Sequence, residues 1–296
     1  MRKYRISAFI CATFTALLLP TVSLADTSLW RVYNNQTELF LGGTVHLLGK
    51  KDFPLPCEFD AAYRRAEKIV FEADIRNVQT PQFTRRYANQ MLYPANQSLG
   101  KKLSKKTLGN LRKLLRNSGL PNQPYLQMKP GILMSTLVAR QLQKSGITPG
   151  GVDSYYLDKA SRDKVPLGFL ETAESQMDLI VNMGVGNEDK FVQHIIENMA
   201  VLNKMFKKIV KNWRDGDIQA LAEASELDEM RQSYPAIFDA LIGKRNNNWM
   251  PQLTEMMKTP EVEYVLVGAL HMAGDIGLLA QLRDAGYSVE AVNGCH

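Results

Sequence analysis

Two stretches of similar pattern, one near each end of the chain, constrain the fold most strongly. FLGGTVHLLG at 40–49 and VLVGALHMAG at 265–274 each place an apolar run, typical of a buried strand, before Gly-x-x-His. Each is followed by a predicted helix, a second strand and a glutamate. Because this order recurs, we expect a degenerate repeat whose strands lie side by side in one sheet. His46 and His271 would then meet at one edge of the sheet, where α/β proteins usually carry their sites.

Hydrophobic periodicity predicts the remaining elements. They are a hairpin of 30–34 and 38–43, a helix at 57–66, strands at 68–73 and 263–268, a helix at 276–285 and a final strand at 287–292. Prolines and glycines divide 75–152 into short helices, and 187–259 is predicted to be mostly helical. The expected fold class is α/β: a central mixed β-sheet with flanking helices and a large, mostly helical insertion, roughly 76–259, within a single domain.

The first 25 residues have the features of a secretory signal peptide. Basic residues at Arg2, Lys3 and Arg5 precede an apolar run at 6–19, and small residues precede a cleavage site after Ala25. The run is shorter than the ~20 apolar residues that span a bilayer, which favours cleavage over anchoring. We therefore expect a mature chain of 26–296 that is periplasmic or secreted.

The charge of the mature chain does not indicate nucleic-acid binding. The leader contains three basic residues and no acidic one, so cleavage lowers the formal charge from +6 to +3. Residues 75–152 nevertheless contain thirteen Lys and Arg and no Asp or Glu, and 101–116 predicts one or two basic amphipathic helices. This segment could contact an anionic surface weakly, although a solvated helix face is favoured because no aromatic residues interleave the lysines.

Two cysteines, Cys57 and Cys295, remain after cleavage of the leader. In an exported chain such a pair can form a disulfide, which would hold the C-terminal tail near the first Gly-x-x-His. Two free buried thiols are the alternative.

The two motif histidines and a nearby carboxylate are candidates for a metal site. Two neutral imidazoles and one carboxylate can hold a divalent ion while leaving positions open for water and substrate. Glu72 is the preferred carboxylate, because a lone charge at the end of a buried strand is costly unless it is paired or bound to metal. Asp74, on the same strand face, is the alternative. A metal held there would activate water and polarise a carbonyl, which predicts hydrolysis; hydrogen-bonded core histidines are the competing interpretation.

Other polar residues are candidates for contacts around this site. Asp153 begins a predicted helix, and its simplest role is as the N-cap. Glu171 ends another strand-like run, and Gln176 follows five residues later. Arg245, next to Asn246, could hold a substrate carboxylate or a developing oxyanion, and a surface salt bridge is the alternative for Arg245.

Several segments of the sequence, including both Gly-x-x-His motifs, resemble in their order the TraB/GumN proteins, which are relatives of the Tiki metalloproteases. The segments that carry the resemblance are FLGGTVHLL, AAYRRAEKIVFEADI, GVDSYYLDKA, GFLETAESQMDLI, KNWRDGDIQAL, LIGKRNNNWMPQL and VLVGALHMAGDIGLLAQLRDAGYSVEAV. The resemblance runs from about 30 to 293. It implies an α/β core with a helical insertion, a metal site of His46, His271 and Glu72, and further site residues at Arg245 and Asn246.

The resemblance also implies a class of function. Tiki relatives are metal-dependent proteases that use manganese or cobalt, whereas the more distant EreA- and ChaN-like relatives include haem-iron binders. We therefore expect an exported metal-dependent hydrolase, most simply a peptidase, that uses a divalent Mn, Co or Zn ion on a peptide or small-molecule substrate. The alternative is a non-catalytic peptide- or haem-binding protein of the periplasm. Glu72 favours hydrolysis, because activation of water needs a base or third ligand and haem capture does not.

Overall fold

The computed structural model describes residues 27–78 and 80–295. The predicted signal peptide, 1–25, lies outside these residues. None of the helices in the described ranges is long and apolar enough to cross a membrane. The strands are β1 (Leu29–Tyr33), β2 (Glu38–Thr44), β3 (Leu47–Gly49), β4 (Lys68–Phe71), β5 (Ile147–Pro149), β6 (Leu167–Phe169), β7 (Glu263–Gly268) and β8 (Ser288–Ala291).

Helices make up most of the remaining described chain. They are α1 (Cys57–Arg65), α2 (Ile75–Val78), α3 (Pro81–Ala88), α4 (Leu99–Lys102), α5 (Lys105–Asn117), α6 (Pro130–Gln143), α7 (Val152–Asp163), α8 (Ala173–Asn182), α9 (Glu188–Met199), α10 (Leu202–Arg214), α11 (Ile218–Ala224), α12 (Leu227–Ser233), α13 (Pro235–Phe238), α14 (Lys244–Met256) and α15 (Leu278–Asp284). Short 3₁₀ turns lie at Lys50–Asp52, Tyr125–Gln127 and Ala269–Met272. A π-helical turn at Asp239–Gly243 leads directly into α14.

The main sheet has six strands in the order β6-β4-β7-β2-β1-β8. The strands β6, β4, β7 and β2 are parallel, and β1 is antiparallel to both β2 and β8. The predicted α/β class with a mixed central sheet is therefore confirmed. The two Gly-x-x-His strands are direct neighbours, with Thr44 opposite Gly268, so both motifs leave the sheet at the same edge.

The central strands have continuous apolar sequences because both faces of the sheet are covered. On one face, Phe40 and Tyr264 pack in a core that contains Phe59 of α1 and Trp213 of α10. On the other face, a second core joins Leu41, Val265 and Val267 to side chains of α14 and α15. Alternate residues of β2 and β7 thus enter opposite cores, which fixes the register of both strands.

The basic segment folds as α4 and α5 within the helical insertion. Ser104 caps α5 by accepting a hydrogen bond from the Thr107 amide at 3.2 Å. Leu111 and Leu115, four residues apart, are fully buried in a third core shared with α6 and α9. The apolar face of α5 is therefore buried in this core, and its Lys and Arg side chains lie on the exposed face.

Two short strands interrupt the helical insertion. β5 pairs with β3, and β6 joins the edge of the main sheet beside β4. The Glu171 amide donates to the Glu72 carbonyl oxygen at 2.8 Å just beyond the β4–β6 pair, so the two acidic residues lie side by side.

Cys57 and Cys295 form a disulfide, with their Cα atoms 5.4 Å apart. Of the two alternatives that the sequence allows, the structure has the bridged one. The bond joins the first residue of α1 to the end of the described chain, across 238 positions of sequence.

Candidate functional site

The space beside Gly268 is the point at which the two motifs and β4 converge. A Cβ atom at this position would lie 3.3 Å from Glu72 Oε1, 3.6 Å from His46 Nε2 and 3.6 Å from His271 Cδ2. Glycine at the end of β7 therefore leaves room between three polar side chains that come from distant parts of the sequence. The structure brings together the three residues predicted as metal ligands.

His46 is held by a carboxylate that comes from the start of α7. Its Nδ1 donates to Asp153 Oδ2 at 2.7 Å, and Asp153 Oδ1 accepts from the Thr44 hydroxyl at 2.8 Å. The negative charge of Asp153 raises the pKa of His46 to about 9. Because Nδ1 faces Asp153, Nε2 is the atom that His46 presents to the space beside Gly268.

The prediction that Asp153 caps α7 is wrong. The N-cap is Gly151, and Asp153 is already the second helical residue, so its side chain is free to reach His46. The Gly151 amide donates to the His46 carbonyl oxygen at 3.0 Å, and the two backbones are so close there that a side chain is excluded. At this position a Cβ atom would lie 1.9 Å from the Val45 carbonyl oxygen. A close approach of backbones, which only glycine permits, thus places Asp153.

His271 is buried and held in one tautomer. Its Nδ1 donates to Asn246 Oδ1 at 2.6 Å, and its Nε2 accepts from Arg245 Nη1 at 2.9 Å. Its ring packs on Trp249, with the centroids 4.5 Å apart. Burial lowers the pKa of His271 to about 3. The positive charge of Arg245 also lowers this pKa, whereas the negative charge of Glu72 raises it. The imidazole is therefore neutral and carries its lone pair on Nε2.

Asn246 lies behind His271 and not in the cleft. It is completely buried, and its amide donates to the carbonyl oxygens of His271 and Ile276 at 3.2 and 2.8 Å. Both polar atoms of the Asn246 side chain are therefore hydrogen-bonded within the protein. Asn246 is a positioning residue for His271.

Glu72 is ionised and accepts hydrogen bonds at both oxygens. Oε1 accepts from the Gly268 amide at 2.6 Å, while Oε2 accepts from Arg245 Nη2 at 2.6 Å and Gln176 Nε2 at 2.8 Å. Burial would raise the pKa of this carboxyl, but Arg245, the two histidines and the Gly268 amide lower it to about 2. Oε1 also lies 3.8 Å from His271 Nε2.

Arg245 lies between two carboxylates. Its Nε and Nη2 donate to Glu171, Nη2 also donates to Glu72, and only 14% of its side chain is exposed. Arg245 is the second residue of α14 and directly follows the π-helical turn. Its guanidinium lies 4.5 Å from the centroid of the Trp249 ring. The ion pairs of Arg245 are therefore not surface salt bridges: Arg245 is a partly buried cation that orients Glu72 and His271.

The alternative carboxylate, Asp74, does not join this cluster. It forms an ion pair with Arg76 at 2.6 Å beyond the end of β4. His194 of α9 is likewise remote and accepts from the Asn198 amide at 2.9 Å. His296 lies outside the described residues.

The donor chemistry of the cluster fits a divalent cation. His46 and His271 each offer Nε2, and both rings are fixed through Nδ1 by Asp153 and Asn246, as is usual for metal-binding histidines. With both imidazoles neutral, Glu72, Asp153, Glu171 and Arg245 together carry a formal charge of −2, which a divalent cation would balance. Protonation of His46, whose pKa is about 9, changes this formal charge to −1.

The distances show what metal binding would require. Over 27–78 and 80–295, the one trio of potential ligands whose atoms all lie within 4.8 Å of one another is Cys57, Glu58 and Cys295, and its sulfurs form the disulfide. The ligand atoms of His46, Glu72 and His271 are more widely spaced than this limit. His46, Glu72 and His271 would together hold a divalent ion only if the exposed His46 ring turned inward and Arg245 released His271 Nε2.

Sequence reasoning missed the partners of the histidines. The sequence favours Asp153 as a helix cap, and no sequence pattern indicates that Asn246 and Trp249 contact His271. One usable signal is the Gly150-Gly151 pair, since paired glycines before a helix indicate a close backbone approach.

The comparisons with known proteins extend over nearly the whole described chain. The model of the TraB/PrgY/gumN family matches residues 28–291. The uncharacterized protein YbaP of Escherichia coli (strain K12) is 26% identical over 246 residues, covering 81% of this chain and 86% of the relative, and YbaP of Shigella flexneri matches equally. No solved structure matches the chain significantly. A match to the family model from one end of the sheet to the other means that the chain belongs to the TraB/PrgY/gumN family.

Proposed function

We propose that this protein is an exported metal-dependent hydrolase and that its reaction is the hydrolysis of a peptide bond. The observation that carries the proposal is the convergence of His46 Nε2, His271 and Glu72 Oε1 on the space beside Gly268. Two imidazoles with fixed tautomers and one ionised carboxylate are a sufficient set of protein ligands for a divalent ion such as Mn, Co or Zn. When bound, such an ion lowers the pKa of water and polarises a carbonyl group.

The protein's own residues prepare this site. Asp153 orients His46, Asn246 orients His271, and Arg245 together with Gln176 orients Glu72. Because Asp153 and Asn246 occupy the Nδ1 atoms, Nε2 is the nitrogen that each histidine directs to the site. The pKa of Glu72, about 2, keeps its carboxylate ionised at neutral pH, so that it can serve as the anionic ligand.

The charge of His46 makes a specific prediction about metal uptake. His46 must lose its proton before Nε2 can bind a cation, and its pKa is about 9. We therefore expect the apparent metal affinity to rise as the pH increases toward 9 and to level off above it. Isothermal titration in two buffers of different ionisation enthalpy would detect release of the proton; affinity independent of pH between 6 and 9 would count against His46 as a ligand.

The direct experiment measures metal and cleavage in the same preparations. The mature protein, the double variant His46→Ala/His271→Ala and the control His194→Ala would be analysed for bound metal and tested on a peptide library with metal add-back. We expect the double variant to lose both metal and cleavage, and the control, altered at a remote histidine, to keep both. Full metal content and full cleavage in the double variant would refute the proposal.

Capture of a peptide or haem without turnover is the competing function, and the same preparations decide it. Tight peptide binding with no cleavage under any metal, or a Soret band on haem titration, would favour it. The buried Glu72 carboxylate favours hydrolysis, because a capture site has no need of an ionised group held in place by Arg245 and Gln176.

A further inference from the structure

Two cavities are lined in part by the residues of the candidate site. The first has a volume of about 320 Å³ and the second about 520 Å³, and His46, Glu72 and Arg245 line both of them. We call the first the apolar cavity and the second the mixed cavity, after the side chains that line them. The polar cluster is therefore a wall that the two cavities share.

The apolar cavity is formed by the second half of the helical insertion. Its walls include Ile209, Leu221, Leu227, Met230, Ile242 and Leu270. Apart from His46, Glu72, Arg245 and His271 of the site itself, none of the residues lining it is charged. Such a wall cannot compensate the desolvation of a charged substituent, whereas it favours a hydrocarbon one.

The mixed cavity lies on the side of α7 and α8. Asp153, Ser154 and Gln176 line it together with Leu179 and Ile180. This side can therefore hydrogen-bond a backbone or polar side chain. Leu241, from the π-helical turn, lines both cavities and forms part of the boundary between them.

On the basis of the proposed function, we propose that the substrate is an extended peptide that crosses the site with a bulky apolar side chain in the apolar cavity. A volume of about 320 Å³ lies in the range of pockets that enclose small ligands, so a Leu, Phe or Trp side chain fits with room for the adjoining backbone. The next part of the peptide, across the bond to be cleaved, lies in the mixed cavity. The residue type in the apolar cavity then determines which peptides bind.

The test uses peptides that differ at one position. Fluorescein-labelled Gly-Ser-Xaa-Ser-Gly peptides, with Xaa as Ala, Leu or Phe, would be titrated into the chelator-treated mature protein and followed by anisotropy. We expect the Leu and Phe peptides to bind at least about tenfold more tightly than the Ala peptide, since each buried methylene favours association. The metal-loaded protein would then be assayed for cleavage of the same peptides.

Two variants fill the apolar cavity, and one control fills its neighbour. Met230→Trp and Ile209→Trp, both at partly exposed positions, should reduce the Leu-to-Ala affinity ratio to within about threefold because the added ring occupies the side-chain volume. The control Leu179→Trp, a similar change in the mixed cavity, should keep the ratio at about tenfold or more even if it weakens all peptides. Thermal unfolding identifies any variant that does not fold.

The outcomes separate this inference from the proposed function. Equal binding of the Ala, Leu and Phe peptides by the wild type, or a ratio that neither filling variant reduces, would overturn the assignment of the apolar cavity. Cleavage without any preference for an apolar side chain would overturn it while leaving the hydrolase proposal intact. A Leu-to-Ala affinity ratio of about tenfold in the wild type, lost in both filling variants, would support the assignment of the apolar cavity. If no cleavage is then seen under any metal, the hydrolase proposal is rejected.

Discussion

Glu263 is a buried acidic residue at the end of β7 opposite the candidate site. It is 2% exposed, and its Oε2 has no hydrogen-bond partner within the described residues. Burial raises its pKa to about 7, and the charge of Glu261 acts in the same direction against that of Lys68. We predict that Glu263→Gln stabilises the protein at alkaline pH, because the amide removes a charge that the fold does not compensate.

The size and sign of the effect follow from linkage. The shift from 4.5 to about 7 means that the folded state binds the proton more tightly than the unfolded state. At about 1.4 kcal/mol per pKa unit, the difference amounts to about 3 kcal/mol. The free energy of unfolding of the wild type should therefore decrease as pH rises from 4.5 through 7. Glu263→Gln should be more stable by up to about 3 kcal/mol at pH 8 and no more stable at pH 4.

Urea unfolding followed by circular dichroism at pH 4, 6 and 8 would measure this difference. The control is Glu255→Gln, because Glu255 is 71% exposed and forms only a surface ion pair with Lys258 at 2.6 Å. We expect the control to change the free energy of unfolding by less than about 1 kcal/mol at each pH. A gain from Glu263→Gln that is the same at pH 4 and pH 8, or absent at pH 8, would refute the reasoning.

Three further predictions concern the site and the disulfide. In Asp153→Asn, NMR titration of the metal-free protein should show the His46 pKa falling from about 9 toward 6.5. Asp158→Asn, an exposed change on the same helix, should leave it near 9, and a value near 9 in both variants would exclude Asp153 as the cause. Gly268→Ala should weaken metal binding at least about tenfold by calorimetry. Its free energy of unfolding should change by less than about 1 kcal/mol, because φ −51° and ψ 132° suit alanine; unchanged affinity would contradict the site. Cys57→Ser/Cys295→Ser should lower the free energy of unfolding by about 2–4 kcal/mol in urea. Reductant should destabilise only the wild type, and equal sensitivity of both proteins would contradict a structural bridge.

The sheet and the positions of the histidines could be predicted because local sequence encodes them. Strands buried on both faces appear as apolar runs, and parallel strands must end at the same edge, so two Gly-x-x-His motifs imply one meeting point. The strand at 68–73 was predicted slightly too long: β4 ends at Phe71, and Glu72 lies in the following turn.

The partners of the site residues could not be predicted, because they depend on non-local contacts. Asp153 reaches His46 only because the β3–β5 pair brings the Gly150-Gly151 turn against the first motif. Locally, an acidic residue at the start of a helix is equally suited to capping, and that interpretation prevailed. The walls of the apolar cavity could not be predicted for the same reason. The sequences of α10 to α12 are ordinary amphipathic ones, and only the tertiary packing places these helices beside the site.

The pairing of β2 with β7 has a consequence for biosynthesis. The first motif is translated more than two hundred residues before the second, yet neither histidine has its neighbours until the two strands lie together. A chain that stops anywhere before β7 is incomplete at the centre of its sheet and lacks half of the cluster. A chain truncated before β7 therefore cannot assemble the cluster, which is complete only when β7 pairs with β2.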